Sequence, residues 1–150
     1  MIMTLDFASE VPIYQQIRDT FVLAIAEGTL MNGERLPTVR ALAQEAGVNA
    51  MTVNKAYQLL KQEGYIITDR RNGAKVHCEG RLNEAAWQQM QATIRLLVAE
   101  ARLGGVTRQE LAAEVDQQYR RLGAAGEREG RQRKADGAAE ERRQELMAES

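Results

Sequence analysis

The side chains best suited to forming specific contacts with a ligand lie between residues 49 and 61, on the outer face of a predicted helix. Asparagine can form two hydrogen bonds with the edge of adenine, and the methyl groups of threonine and methionine can contact thymine methyls. An α-helix fits the major groove of DNA, and this face carries few acidic residues. We therefore predict base contacts from Met51, Thr52 and Asn54.

Further polar and basic residues around this helix suit the DNA backbone. Phosphate contacts position a protein on DNA, whereas base contacts specify the site. Asn49 can instead act mainly as a helix cap, and Thr52 can pack partly against the preceding helix. For Lys61, a solvated position on an amphipathic helix is an equal alternative. The complete predicted DNA-binding set is Thr38, Arg40, Asn49, Ala50, Met51, Thr52, Asn54, Lys55, Arg70, Arg71, Gly73 and Lys75.

Other chemistries find little support in the sequence. His77 and Cys78 are adjacent, but no further metal ligands cluster near them, so we predict no metal site. A single cysteine excludes an intrachain disulfide and fits a reducing cytosol. There is no second histidine, nucleophile motif, phosphate loop or glycine-rich dinucleotide turn. We therefore predict neither enzymatic activity nor a cofactor.

Three predicted helices position the polar face. The first begins at Val11-Pro12 and ends at Gly28, because glycine is a common helix stop. The second follows a loop over residues 32–37 and is capped by Thr38. The third runs from about Asn49 or Ala50 to Glu63, and its apolar side chains recur at helical spacing. They are Val53, Ala56, Tyr57 and Leu60.

The second and third helices carry the spacing of a helix-turn-helix. Ala43 is small enough for two helices to cross closely, Gly47 permits the tight turn, and Val53 fills the corner. Two short β-branched or apolar runs follow, separated by Asp69-Arg70-Arg71-Asn72-Gly73. Asn-Gly favours a tight hairpin turn, since both residues tolerate positive φ. A helix-turn-helix followed by a basic hairpin predicts a winged helix.

Composition and charge limit the classes of protein. The chain has 150 residues, of which 44% are hydrophobic and 27% charged, as in an ordinary globular protein. Its net charge is −1, so any positive surface for DNA must be local. The longest apolar run, Phe21 to Ala26, is too short to span a membrane. Residues 1–10 show no secretory signal, and we expect a cytoplasmic protein.

Residues 81–122 are predicted to form a helical hairpin with an unpaired apolar stripe. Gly104-Gly105 separates the two helices, and Thr107 with Glu110 forms a capping box. A second copy is the simplest partner for the stripe, which predicts a homodimer. Folding back onto the first helix of the same chain is the alternative. The predicted dimerisation residues are Trp87, Met90, Ile94, Leu97, Val98, Leu111, Val115 and Tyr119.

Residues 123–150 contain many charges and few large apolar side chains. This composition predicts a flexible tail, with transient helix as a further expectation. The hairpin of about 40 residues is too short to enclose a ligand in a second core, so no dedicated pocket for a small-molecule effector is predicted. A ligand bound at the dimer interface is the alternative.

Several short motifs occur together over about residues 10–77, and in combination the chain resembles the GntR family of winged helix-turn-helix regulators. Its short C-terminal part is similar to the YtrA subfamily. The motifs are Leu36-Pro37-Thr38-Val39-Arg40-Ala41-Leu42-Ala43, Gly47-Val48-Asn49, Thr52-Val53, Lys55-Ala56-Tyr57, Leu60, Glu63-Gly64-Tyr65 and Gly73.

The resemblance implies a bacterial protein that binds a pseudo-palindromic operator as a dimer and usually represses transcription. Two features depart from the family pattern. Ala50 and Asn54 stand where better-studied branches often carry arginine, and the wing turn Arg71-Asn72-Gly73-Ala74 lacks a double glycine. The base preference of those branches is therefore not transferred.

The predicted fold class is mainly α with a small β-hairpin wing. A winged helix-turn-helix over residues 1–80 precedes the helical hairpin over residues 81–122 and the tail over residues 123–150. A protein-interaction module and a non-specific architectural DNA-binding protein are the alternative functions, since fold alone does not determine function.

Overall fold

The computed structural model describes residues 3–71, 73–78, 80 and 82–149, with only the backbone for residues 124–134. Over these residues it contains five helices and one two-stranded sheet. In chain order they are α1 (Ile13–Glu27), α2 (Val39–Ala46), α3 (Ala50–Gln62), β1 (Ile66–Asp69), β2 (Gly73–Val76), α4 (Glu84–Leu103) and α5 (Arg108–Ala148).

Contacts divide the chain into two units. One contains the winged helix, up to Cys78, together with the end of the chain from Ala124, and the other runs from Glu79 to Gly123. The first unit holds the apolar core, in which α1, α2, α3 and the sheet bury the side chains expected from their spacing. Its buried residues include Ile17, Phe21, Leu42, Ala43, Val53, Ala56, Tyr57, Leu60, Ile66 and Val76.

The boundaries of the first three helices agree with the sequence pattern, with one difference. Pro12 occupies the N-cap position of α1 rather than its first helical position. Its carbonyl accepts hydrogen bonds from the N–H groups of Gln15 and Gln16, at 3.0 and 3.1 Å. Thr38 caps α2 as predicted, because its side chain accepts a hydrogen bond from Ala41 N–H at 3.1 Å.

The hairpin of β1 and β2 is the predicted wing. Its strands pair antiparallel, from Ile66 opposite Val76 to Asp69 opposite Gly73. Three residues therefore connect the last pair, instead of a two-residue Asn-Gly turn. Gly73 has a φ of +70°, which glycine adopts at little cost. Asn72 lies outside the described residues.

The predicted loop before α2 is partly a third extended segment of the wing. Gly33 N–H donates to Val76 O, and Val76 N–H donates to Glu34 O, both at 2.8 Å. Arg35 forms a bridge with Lys75, and Leu36 N–H donates to Ala74 O at 2.8 Å. Residues 33–36 therefore run along β2 and connect the wing to the start of α2.

The second unit contains α4 and the first part of α5. Asn83 caps α4 by accepting a hydrogen bond from Ala86 N–H at 2.8 Å. The capping box is confirmed, since Thr107 N–H donates to Glu110 Oε2 at 2.9 Å and Glu110 N–H donates to Thr107 Oγ1 at 3.1 Å. Helix α4 contains no buried residue, so its apolar stripe has no partner within this unit.

Helix α5 continues past residue 122 to Ala148. The expected end of the hairpin therefore does not coincide with the end of a helix, and the backbone of most of the predicted tail is helical here. The many glutamate, arginine, glutamine and alanine residues favour helix, which offsets the glycines. That this segment is flexible in solution stays a prediction.

We expect Gly47→Ala to lower the free energy of unfolding by about 1–2 kcal/mol, the cost of a left-handed backbone for an L-residue. Gly47 has a φ of +69°, and an added Cβ would meet no atom within 4 Å, so the backbone alone sets this cost. Gly123→Ala is the matched control, because it lies within α5 and has equally open surroundings. Denaturant unfolding measures both, and equal destabilisation would contradict the turn geometry.

Candidate nucleic-acid interface

The buried residues of α3 determine which of its side chains face outward. Val53, Ala56, Tyr57 and Leu60 point into the core, so most of the residues between them point outward. Met51 is 78% exposed. The exposed residues of this face are Ala50, Met51, Asn54, Lys55, Gln58 and Lys61, as the sequence predicted.

A cavity of about 400 Å³ lies where the start of α2, helix α3 and the wing meet. We call it the helix–wing cavity. It brings together four predicted residues, Thr38, Asn54, Arg71 and Gly73, and none of its lining residues is acidic. The other polar residues that line it are Arg35, Gln58, Lys61 and Thr68.

Arg35 and Thr68 were not among the predicted contacts. Arg35 lies in the third extended segment of the wing, opposite Lys75. Its position depends on a strand pairing across forty residues, and no local pattern in the sequence reveals it. Thr68 lies in β1 and is exposed, although strand alternation places it on the same side as the buried Ile66.

Two of the predicted residues already serve as helix caps. The Asn49 side chain accepts a hydrogen bond from Met51 N–H at 2.7 Å, and Thr38 caps α2 in the same way. Both caps start helices whose first turns carry exposed residues, among them Arg40 and Ala50. Asn49 therefore has a structural role whatever it contacts, while Arg40 projects from the first turn of α2.

Lys55 lies at a different edge of α3 from Asn54. Its ammonium nitrogen lies 4.0 Å from the centroid of the Tyr14 ring in α1, within cation–π range. Thr52 is half-buried on α3, in agreement with the alternative that it packs partly against its neighbours. Neither residue lines the helix–wing cavity.

The wing presents its arginines to solvent and partly covers its lysine. Arg70 and Arg71 are exposed, and Arg71 N–H donates to Asp69 Oδ1 at 2.9 Å, which shapes the turn. Lys75 is half-buried beside Arg35. Of the predicted basic residues, Arg70 and Arg71 are therefore better placed than Lys75 for a partner outside the protein.

A second exposed surface lies on α4 and α5. Seven of the eight predicted dimerisation residues are exposed, and Leu111 is half-buried. An open groove of about 550 Å³ runs between the two helices next to their turn, with a mainly apolar lining. Three of the predicted residues, Val98, Leu111 and Val115, line this groove.

Metal and membrane chemistry find no site within the described residues. No group of three or more histidine, cysteine, aspartate or glutamate side chains is arranged there to hold a metal ion. None of the helices there combines the length and apolar character needed to cross a lipid bilayer. The interface of α2, α3 and the wing is thus the candidate site that the geometry favours.

Comparison with known proteins gives consistent matches. The model of the bacterial regulatory proteins of the gntR family matches residues 13–76. The HTH-type transcriptional repressor YtrA of Bacillus subtilis (strain 168) is 32% identical over 109 residues, which cover 71% of this chain and 84% of YtrA.

Two solved structures extend these matches to the fold. A transcriptional antiterminator from Listeria monocytogenes EGD-e aligns with a TM-score of 0.76 at 26% identity, over 81% of this chain and 92% of that protein. YtrA from Sulfolobus acidocaldarius, a GntR-family transcription factor, aligns with a TM-score of 0.50 at 36% identity, over 76% of this chain and 93% of that protein. The predicted fold class is confirmed.

Asn49, the N-cap of α3, and Asn54, within α3, should respond differently to the same substitution. Asn49→Ala removes a helix cap and should lower the free energy of unfolding by about 1 kcal/mol. Asn54→Ala removes an exposed side chain and should change it by less than about 0.5 kcal/mol. Denaturant unfolding of both variants measures this difference, and a larger loss for Asn54→Ala would contradict the assigned positions.

Proposed function

The chain belongs to the GntR family of bacterial regulatory proteins, and on this premise we propose that it represses transcription from a specific operator. Family membership also confirms two predictions: the protein is a DNA-binding transcriptional regulator, and it is not an enzyme. In the proposal, a homodimer in the bacterial cytoplasm binds a pseudo-palindromic, double-stranded operator. The relative YtrA is named as a transcriptional repressor.

The observation that carries the proposal is the helix–wing cavity and its surroundings. The start of α2, helix α3 and the wing lie together on one side of the first unit, and elements of this kind bind DNA in winged-helix proteins. No acidic residue lines the cavity between them. Arg35, Lys61 and Arg71 supply positive charge there. This local positive charge can attract DNA although the net charge of the whole chain is −1.

In this proposal α3 enters the major groove and reads bases. Asn54 hydrogen-bonds to a base edge, while Met51 and Thr52 contact thymine methyl groups. Ala50, at the first turn of α3, lets the helix approach the bases closely. Gly73 lets the wing approach the backbone. Arg40 contacts a phosphate or an adjacent base. The other proposed phosphate contacts come from Thr38, Asn49, Lys55, Arg70, Arg71 and Lys75.

The second unit is the proposed dimerisation surface. Helix α4 buries none of its residues, and full burial of each large apolar side chain contributes about 1.5–3 kcal/mol. A second copy offers the same stripe and groove, which a two-fold interface requires. The dimer then presents two α3 helices to two half-sites about one DNA turn apart.

Selection of bound sequences from a random duplex library tests the function. The full chain should enrich an inverted repeat, because two symmetry-related helices read two half-sites. Binding without enrichment would indicate a non-specific architectural protein. Failure to bind any duplex at low salt would contradict the proposal and favour a protein-interaction module.

Asn54→Ala should weaken binding to the selected duplex by about 1–3 kcal/mol, the value of a good base contact. Binding to a random duplex should hardly change. Gln62→Ala is the matched control, since it removes an amide from the same helix outside the helix–wing cavity. Fluorescence anisotropy titrations measure both, and equal weakening on the two duplexes would refute base reading by Asn54.

Leu97→Gln should raise the dimer dissociation constant at least about tenfold, since it removes apolar contact worth roughly 1.5 kcal/mol or more. The adjacent Leu96 is the matched control, because it lies on a different face of α4 and is 62% exposed against 47% for Leu97. Analytical ultracentrifugation measures both. A monomer at high micromolar wild-type concentration would contradict the proposed dimer.

A further inference from the structure

The segment before α2 connects all three elements of the interface. Its backbone is tied to β2 by Leu36 N–H, which donates to Ala74 O at 2.8 Å. Leu36 itself is buried in the core. The next residue is Pro37, followed by Thr38, which caps α2. Movement of Pro37 would therefore be passed to the first turn of α2.

Tyr57 ties the same segment to α3. Its hydroxyl donates a hydrogen bond to the Pro37 carbonyl oxygen at 2.8 Å. The ring is 5% exposed and meets the Phe21 ring edge-on, with centroids 5.6 Å apart. Burial raises the pKa of Tyr57, so the phenol keeps its proton at neutral pH and acts as the donor.

We propose that Tyr57 is a positioning residue for operator recognition, whose hydroxyl sets the first turn of α2 and the wing relative to α3. This inference rests on the proposed function. Asn54 lies one turn before Tyr57 on α3, and both line the helix–wing cavity with Thr38. The bond from Tyr57 to Pro37 thus joins the base-reading helix directly to the segment that leads to Thr38 and Arg40.

The physical reason is preorganisation. Contacts from α2, α3 and the wing reach one rigid duplex, so each is fully made only when the spacing between the elements is already correct. Ordering a loose segment at the interface costs free energy on binding. Removing the hydroxyl leaves the Tyr57 ring in the core but removes the hydrogen bond that ties Pro37, an exposed residue, to α3.

Tyr57→Phe tests this, with Tyr14→Phe as the matched control. Tyr14 is half-buried in α1 and its ring contacts Lys55, a contact that phenylalanine retains. Tyr57→Phe should lower affinity for the library-selected duplex about 3- to 10-fold, the equivalent of one net hydrogen bond. Affinity for a random duplex should fall less, because sequence-independent contacts with phosphates need less exact spacing between the elements. The ratio of the two affinities therefore falls, and Tyr14→Phe should leave both affinities unchanged.

Amide hydrogen exchange in the free protein gives a readout that is independent of DNA. Ala41 N–H is bonded to the Thr38 side chain and should exchange about 3- to 10-fold faster in Tyr57→Phe than in the wild type. An unchanged affinity ratio or unchanged Ala41 exchange would overturn the inference. Unfolding of Tyr57→Phe would overturn it too, since the hydroxyl would then be required for folding. A wild type without sequence preference would instead refute the proposed function.

Discussion

The burial of one side of α3 is the constraint on which the interface depends. Val53, Ala56 and Leu60 are fully enclosed by neighbouring elements of the first unit, and each large buried side chain contributes about 1.5–3 kcal/mol. A helix rotated by half a turn would expose them and bury Asn54 and Lys61. Buried polar groups without partners cost several kcal/mol. The core therefore determines which residues α3 can offer to DNA.

The positive charge of the interface depends on where the acidic and basic side chains lie. The first 80 residues carry about as many acidic as basic side chains, yet the helix–wing cavity has no acidic lining residue. One acid near α3, Glu63, is engaged elsewhere, since Arg18 of α1 donates to its Oε2 at 2.6 and 3.0 Å. Dissolved salt screens electrostatic interactions beyond about 10 Å. A weakly acidic chain can therefore still present a locally positive surface.

The local structure of this chain could be predicted from sequence, and the tertiary contacts less so. The caps Thr38 and Asn49, the α3 stripe and the two wing strands follow from spacing and residue type. The pairing of residues 33–36 with β2 could not, because its partners lie some forty residues away. For the same reason the contact of Lys55 with Tyr14 was missed.

The site divides in the same way. Asn54, Arg71 and Gly73 were predicted and lie at one cavity. Short sequence patterns indicate both the helix and the wing hairpin that carry them, and the order of these elements along the chain. The degree of exposure of each residue depends on neighbours from other elements, so Lys75 proved half-buried.

Near the start of the chain, Gln16 bonds the Asp6 backbone through both atoms of its amide, at 2.8 and 2.9 Å. A lone glutamine gives no sign of such a partner.

Methionine oxidation tests most directly whether α3 faces DNA. Met51 on α3 and Met147 in α5 are almost equally exposed, at 78% and 80%, so they should react with hydrogen peroxide at similar rates in the free protein. With the library-selected duplex bound, peptide mass spectrometry should show Met51 protected and Met147 still reactive. Undiminished oxidation of Met51 in the saturated complex would show that the outer face of α3 does not contact DNA.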